Sequence, residues 1–263
     1  MNDARPRALV TGASRGIGRE LAALFAADGY DLVLAARSDA LDSVAADLEK
    51  TGVDVVAVHA DLRTPDGVRA VHEAATAEGR IPAAAALNAG VGAGGAFVDA
   101  ELEDVLSIVD VNVRSTVHLA HLLLNDMLRA GSGRMLITSS VVSTMPGPYQ
   151  AVYNASKAFV QSFADGVRKE LDGSGLTLTS MLPGATDTHF FARAGMLDTL
   201  LGKSPKDDPA RVARDGYAAL MRGKRNVVPG SLLAKSMAVF GTVAPDAVTS
   251  AVHRVLAKPR SER

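Results

Sequence analysis

Six short apolar runs divide the first two-thirds of this chain into repeating units. They read ALVT (8–11), DLVLAA (31–36), VDVVAVHA (53–60), AAAALN (83–88), RMLITS (134–139) and LTLTSML (176–182). Each run is nearly continuous rather than alternating, as in strands covered on both faces of a parallel sheet. Between them lie alanine-rich stretches with helical periodicity, such as Gly18 to Ala27 and Ala40 to Lys50. Strand, helix, strand, repeated in this way, predicts an α/β fold: a doubly wound parallel β-sheet with helices on both faces. No Pro/Gly/Ser-rich linker interrupts the pattern, so one domain over 1–263 is expected.

Composition narrows the function classes. The formal net charge is −1, which gives the chain no general attraction for nucleic acid or anionic lipid. It has no cysteine, which excludes disulfides, thiolate zinc sites and cysteine nucleophiles. The apolar run Ala8 to Val10 is too short for a signal segment. No apolar stretch approaches the roughly 18 residues of a membrane span. A cytoplasmic protein with no membrane partner is expected. The last residues, KPRSER, read as a frayed tail.

LVTGASRGIGRELAALFA follows the first strand and enters the first helix, with glycines at Gly12, Gly16 and Gly18. Glycine in a strand-to-helix turn lets the chain bend sharply and lets a ligand approach the main chain. The free N–H groups at the helix start then suit a phosphate. The spacing is G-x-x-x-G-x-G. A tight turn with no ligand is the alternative.

TGASRGIG, NAG at 88–90, Asn112, Ser140, Tyr153-x-x-x-Lys157 and the PG at 183–184 together resemble the single-domain short-chain dehydrogenase/reductase pattern, in the right order over roughly residues 7 to 190. The resemblance implies a Rossmann-like fold and a nicotinamide cofactor held by Gly12, Ser14, Arg15, Gly16, Ile17, Gly18, Arg37, Asp61, Leu62, Asn88, Ala89, Gly90, Tyr153, Lys157, Pro183, Gly184, Thr186 and Thr188. It gives Asp61 to the adenine and Thr188 to the nicotinamide carboxamide. An Asp that caps the turn before Thr64-Pro65 is the rival reading of Asp61. Two departures stand out. Ser143 replaces a frequent glycine, and ATDT follows PG where a valine and then a threonine are usual, which leaves Asp187 without a role.

Which nicotinamide is bound depends on the end of the second strand. An acid about 20 residues past the glycine loop would take the ribose 2′-hydroxyl of NAD. Ala36 stands there, followed by Arg37, and Arg15 lies within the loop. Two guanidiniums without a carboxylate suit a 2′-phosphate. NADP(H) is therefore expected; two solvated arginines are the alternative.

A tyrosine with an ordinary pKa near 10 is too weakly acidic to act as a base at neutral pH. A nearby lysine ammonium favours the phenolate. Tyr153 and Lys157 are four apart on a predicted helix and share a face. Tyr153 can then exchange a proton with a carbonyl or alcohol oxygen. Asn88, Ser140 and Pro183-Gly184 fall at carboxyl ends of predicted strands, where ligands bind in such sheets. Family resemblance gives Ser140 the same oxygen, Lys157 the nicotinamide ribose, and Asn112 a kinked helix with a proton-relay water. Ser139 is the alternative to Ser140. On a bare helix, the Tyr–Lys pair would be ordinary surface residues.

His118 and His121 lack a third ligand, so no metal site is expected and helix packing is preferred. The stripes on the predicted helices Val105 to Leu128 and Tyr153 to Leu171 face either the sheet or, by resemblance, a homodimer or homotetramer partner. HFFARAGMLDTLL (189–201) reads as an apolar cover over a small-molecule carbonyl or alcohol substrate, within a lid region of about 188–225, or else as a core helix. Ketones, aldehydes and 3-oxoacyl thioesters, reduced with NADPH, are the expected chemistry. A protein that binds NADP(H) without turnover is the alternative.

Overall fold

A computed structural model describes residues 5–259 of the chain; the expected frayed end from Arg260 onward lies outside them. Seven strands run parallel: β1 (Arg7–Thr11), β2 (Asp31–Ala36), β3 (Val55–His59), β4 (Ala84–Leu87), β5 (Gly133–Thr138), β6 (Leu176–Met181) and β7 (Asn226–Val227). Their order is β3-β2-β1-β4-β5-β6-β7. Six match the predicted runs. The seventh is two residues long, too short to show any periodicity. β1, β2 and β4 are buried throughout, whereas β3 lies at the sheet edge and is partly buried to exposed along its length.

The helices are α1 (Gly16–Ala27), α2 (Ala40–Glu49), α3 (Pro65–Thr76), α4 (Leu102–Ile108), α5 (Ser115–Ala130), α6 (Ala151–Glu170), α7 (Phe190–Arg193), α8 (Leu200–Lys203), α9 (Pro209–Met221), α10 (Leu232–Val243) and α11 (Asp246–Ala257). One face of the sheet packs on α1, α2 and α9 through Leu21, Phe25, Leu41, Val44, Val212 and Tyr217. The other packs on α3, α5 and α6 through Val68, Val71, Leu119, Leu123, Val160 and Ala164. Alternate residues of each strand feed opposite layers: Ala8 and Val10 the first, Leu9 the second. Phe25 is fully buried and meets Tyr217 edge-on at 4.9 Å. Truncating such a ring to Ala costs about 3–5 kcal/mol.

Three expectations change. The helix predicted over Val105 to Leu128 is broken: α4 and α5 are joined by a π-helical turn, Val109–Arg114, centred on Asn112. Residues 189–201 form no single amphipathic helix but two short ones, α7 and α8, separated by Gly195 at φ +67°. The lid region also ends sooner than 225. Asp208 accepts N–H bonds from Ala210 and Arg211, Pro209 opens α9, and that helix sinks Val212, Ala213 and Leu220 into the core against α1. Among the described residues no helix is long and apolar enough to cross a membrane.

Candidate active site

The strand order reverses between β1 and β4, both of which neighbour each other while their connections run in opposite directions. Ligands of open α/β sheets bind at such a point, beyond the carboxyl ends of the strands. A cleft of about 780 Å³ lies there. Its walls include Gly12, Ser14, Arg15, Gly16, Ile17, Arg37, Asp61, Leu62, Asn88, Ala89, Gly90, Ser140, Tyr153, Lys157, Pro183, Gly184, Thr186 and Thr188. Two of the predicted residues sit behind the wall. Gly18 packs directly beneath the Gly12 carbonyl, where a side chain would collide. Asn112 is buried behind the loop that follows β4.

The glycine loop fits a dinucleotide by shape. Gly16 has φ +56°, a conformation that side chains strain to adopt, and a Cβ there would come within 2.8 Å of the Thr188 methyl. The loop therefore presents bare backbone at the start of α1, where N–H groups and the helix dipole favour phosphate. Thr11 ties the floor together: its hydroxyl accepts the N–H groups of Asn88 and Ala89, both at 3.0 Å. The Asn88 amide donates to Thr11 O at 3.3 Å and accepts the Thr138 hydroxyl at 3.2 Å. Its polar atoms thus brace β1, β4 and β5. Thr186 likewise turns its hydroxyl to the Gly184 carbonyl, at 3.1 Å. Thr188 lies just before α7, its hydroxyl accepting the Phe190 N–H at 3.3 Å.

At the end of β2, Ala36 and Arg37 line the cleft with Ser38. Arg15 donates to the Ser38 hydroxyl at 2.9 Å, and Arg37 stands 3.9 Å from Asp61. Sequence reasoning passed over Ser38, although it directly follows Arg37. Asp61 fulfils the turn reading: it accepts the Arg63 backbone N–H at 3.0 Å and the Arg63 guanidinium, while its own carbonyl takes Thr64. The Arg63 bonds, with Arg37 further off, hold its carboxyl below the usual range. It also faces the cleft, so the turn and a ligand-facing position coexist.

Ser140, Tyr153 and Lys157 converge. β5 ends at Thr138, and Ser139 and Ser140 follow it. Ser139 donates to the Lys157 carbonyl at 3.1 Å, so its hydroxyl fastens α6. Ser140 instead turns its hydroxyl into the cleft beside Tyr153, donating to the Pro183 carbonyl and accepting the Val142 N–H, each at 3.4 Å. Lys157 is buried, 6.0 Å from the Tyr153 ring centroid, and donates to Thr138 O at 2.8 Å. Asn112 staples the rear of this cluster. It accepts the Val91 N–H and donates to Val91 O and to the Ser156 hydroxyl, each at 2.9 Å. The π-helical turn aims it there.

The pKa of Tyr153 departs from expectation. Burial pushes the phenol up to about 12, with the Ser140 hydroxyl opposing. Burial lowers Lys157 to about 8. The ammonium is turned to the Thr138 carbonyl rather than to the phenolic oxygen, so it does not depress Tyr153 as predicted. A neutral phenol donates a proton; it does not remove one. Ser143, the departure noted in the sequence, is buried in a 3₁₀ turn with its hydroxyl unpartnered. Asp187 is exposed.

Beyond Tyr153 the cleft turns apolar. Phe190 tilts against the Tyr153 ring at 5.1 Å, with Phe191, Leu201, Leu233, Met237 and Leu256 around it. His118 and His121 form no metal cluster: among the described residues no group of three potential ligands occurs. Sequence reasoning missed Leu233, Met237 and Leu256, which arrive from α10 and α11.

Residues 6–196 match the model of the short chain dehydrogenase family. The chain belongs to that family. Its short-chain dehydrogenase relatives include oxidoreductase UcpA of Salmonella typhimurium, 33% identical over 81% of this chain and 79% of that protein. Among solved structures, a short-chain dehydrogenase from Sphingobium yanoikuyae in complex with NADPH matches with TM-score 0.80 and 31% identity, over 90% of this chain and 92% of the other. The bulky-bulky ketone specific alcohol dehydrogenase from Comamonas testosteroni matches with TM-score 0.76 and 29% identity, over 88% of each chain. An oxidoreductase that uses a nicotinamide cofactor on a small molecule follows from this membership and the cleft.

Proposed function

We propose that this short-chain dehydrogenase is NADP(H)-dependent and reduces the carbonyl of a bulky, apolar ketone or aldehyde. The observation that carries the reading is the convergence of Ser140, Tyr153 and Lys157 at the point where the polar cleft meets its apolar end. NADPH, when bound, supplies the hydride. Arg15, Arg37 and Ser38 hold the 2′-phosphate, by forked and charge-assisted bonds that a 2′-hydroxyl could not match. Asp61 and Leu62 flank the adenine, and the bare loop at Gly12, Ser14, Gly16 and Ile17 takes the pyrophosphate. Asn88, Ala89, Gly90 and Lys157 would hold the ribose, and Pro183, Gly184, Thr186 and Thr188 the nicotinamide.

Tyr153 donates its proton to the carbonyl oxygen as the carbon is reduced, and Ser140 hydrogen-bonds the same oxygen. Lys157 must turn its ammonium from the Thr138 carbonyl toward the phenolate as it forms, which its place one helical turn from Tyr153 on α6 allows. Asn112 positions this group through Val91 and Ser156. Phe190, Phe191, Leu233 and Met237 exclude water and bury the substrate's apolar arms. Support for a bulky ketone comes from the breadth of that apolar wall and from the substrate that the Comamonas enzyme's name states.

The catalytic unit is a homodimer or homotetramer paired through α4 and α6, where Leu102, Leu106 and Phe159 lie exposed. Light scattering checks this; a monomer would contradict it. The functional test is NADPH oxidation against a panel of ketones, aldehydes and 3-oxoacyl thioesters. Turnover of bulky apolar ketones, lost in Tyr153→Phe with NADPH binding kept, is expected. NADPH binding without turnover of any member would argue instead for a nucleotide-sensing role.

A further inference from the structure

Arg193, at the end of α7, faces the same cleft as Arg15 and Arg37. Its element is already pressed on the nucleotide loop. Thr188, two residues before α7, sits against Gly16, and Phe190 sits against Tyr153. Several arginines on helical turns have an acid, as Arg114 with Asp110, Arg129 with Asp126 and Arg168 with Asp165, while Arg19, Arg211 and Arg254 have no ion pair among the described residues. Arg193 has no ion pair among the described residues. Its charged neighbours are instead the like charges of Arg15 and Arg37, which, after burial, hold its guanidinium below the ordinary value. The cleft carboxylate beside them, Asp61, is bonded to Arg63 and stands 3.9 Å from Arg37, and it forms no ion pair with Arg15 or Arg193 among the described residues. Three guanidiniums converging on a concave surface repel one another unless an anion lies among them.

We propose that Arg193 is a lid-borne ligand of the cofactor's phosphates, so that NADP(H) binding and seating of α7 over the reaction site are one event. This rests on the dinucleotide reading above. Arg15, Arg37 and Arg193 then divide the work. The first two come from the rigid sheet edge, and the third arrives with the cover. Because α7 also carries Phe190 to Tyr153, the phosphate contact at one end of the helix is coupled to the substrate wall at the other.

The test is equilibrium binding of NADPH and NADH to the full chain, for wild type, Arg193→Ala, Arg193→Lys and Arg37→Ala. Arg193→Ala should raise the NADPH Kd about tenfold or more, with Arg193→Lys in between. The unliganded melting temperature should not fall, since Arg193 makes no ion pair among the described residues and lies beside the like charges of Arg15 and Arg37. NADPH should also protect residues 189–203 from proteolysis in wild type and fail to do so in Arg193→Ala. An unchanged NADH Kd would assign the contact to the 2′-phosphate; an equal rise for NADH would assign it to the pyrophosphate. Wild-type affinity of Arg193→Ala for both dinucleotides, with NADPH weakened in Arg37→Ala, would overturn the inference and leave the cofactor reading intact. Failure of wild type to bind either dinucleotide would overturn both.

Discussion

The two ends of the cleft are built by different means. At the cofactor end, hydrogen bonds lock strand ends to one another: Thr11 to Asn88 and Ala89, Thr138 to Asn88, and Lys157 to Thr138. At the substrate end the wall is apolar and comes from α7, α10 and α11, the last two lying outside the sheet layers. Leu232 and Leu233 remain 83% and 55% exposed. A dinucleotide of fixed shape requires a rigid backbone cradle. Apolar groups of varied shape need only a wall that excludes water. The difference assigns cofactor binding to the braced end and substrate fit to the apolar one.

Variants should separate the ends. The largest effect falls at their junction: Tyr153→Phe should lower turnover about 10²–10⁴-fold, with NADPH affinity unchanged by equilibrium titration. Next, Arg37→Ala should lower kcat/KM with NADPH about 10- to 100-fold and leave the NADH value nearly unchanged, in initial-rate assays. Loss with both cofactors would break the comparison, because Arg37 would then act on structure.

Lys157 ties rigidity to function. Reduction needs its ammonium, so kcat/KM for ketone reduction should fall about tenfold per pH unit above about 8. The same burial costs stability. The folded chain holds the Lys157 proton less tightly than the unfolded chain does, so between about 8 and 10.5 the unfolded chain binds more protons and stability rises with pH. Lys157→Met should therefore abolish turnover and stabilise the free protein at pH 7 in denaturant titrations, less what is lost when the Thr138 carbonyl loses its partner. The gain should vanish as pH passes 10.5. The smallest effect belongs to the apolar wall. Met237→Ala should raise KM for a bulky ketone on the order of fivefold and leave the KM for NADPH unchanged; a matching rise for NADPH would show that the ends are not independent.

The same division explains what could be read without coordinates. The buried strands announce themselves as unbroken apolar runs, and Gly12, Gly16, Tyr153 and Lys157 sit at spacings that local geometry makes meaningful. The π-helical turn at Asn112 does not, because a one-residue widening of a helix barely disturbs an apolar stripe. β7 is too short to carry a period. The start of α9 was legible, with Asp208 as cap and Pro209 in the first turn, and it should have shortened the lid. Leu233, Met237 and Arg193 were out of reach. Each joins the cleft by tertiary packing of short or peripheral helices, and no sequence spacing links them to the glycine loop.

The most direct measurement is the ratio of kcat/KM for NADPH to that for NADH, with wild-type protein reducing one bulky apolar ketone. Arg37 at the end of β2 and Arg15 in the glycine loop predict a ratio of at least about ten. An equal or higher value with NADH would contradict the assignment of that end to a 2′-phosphate.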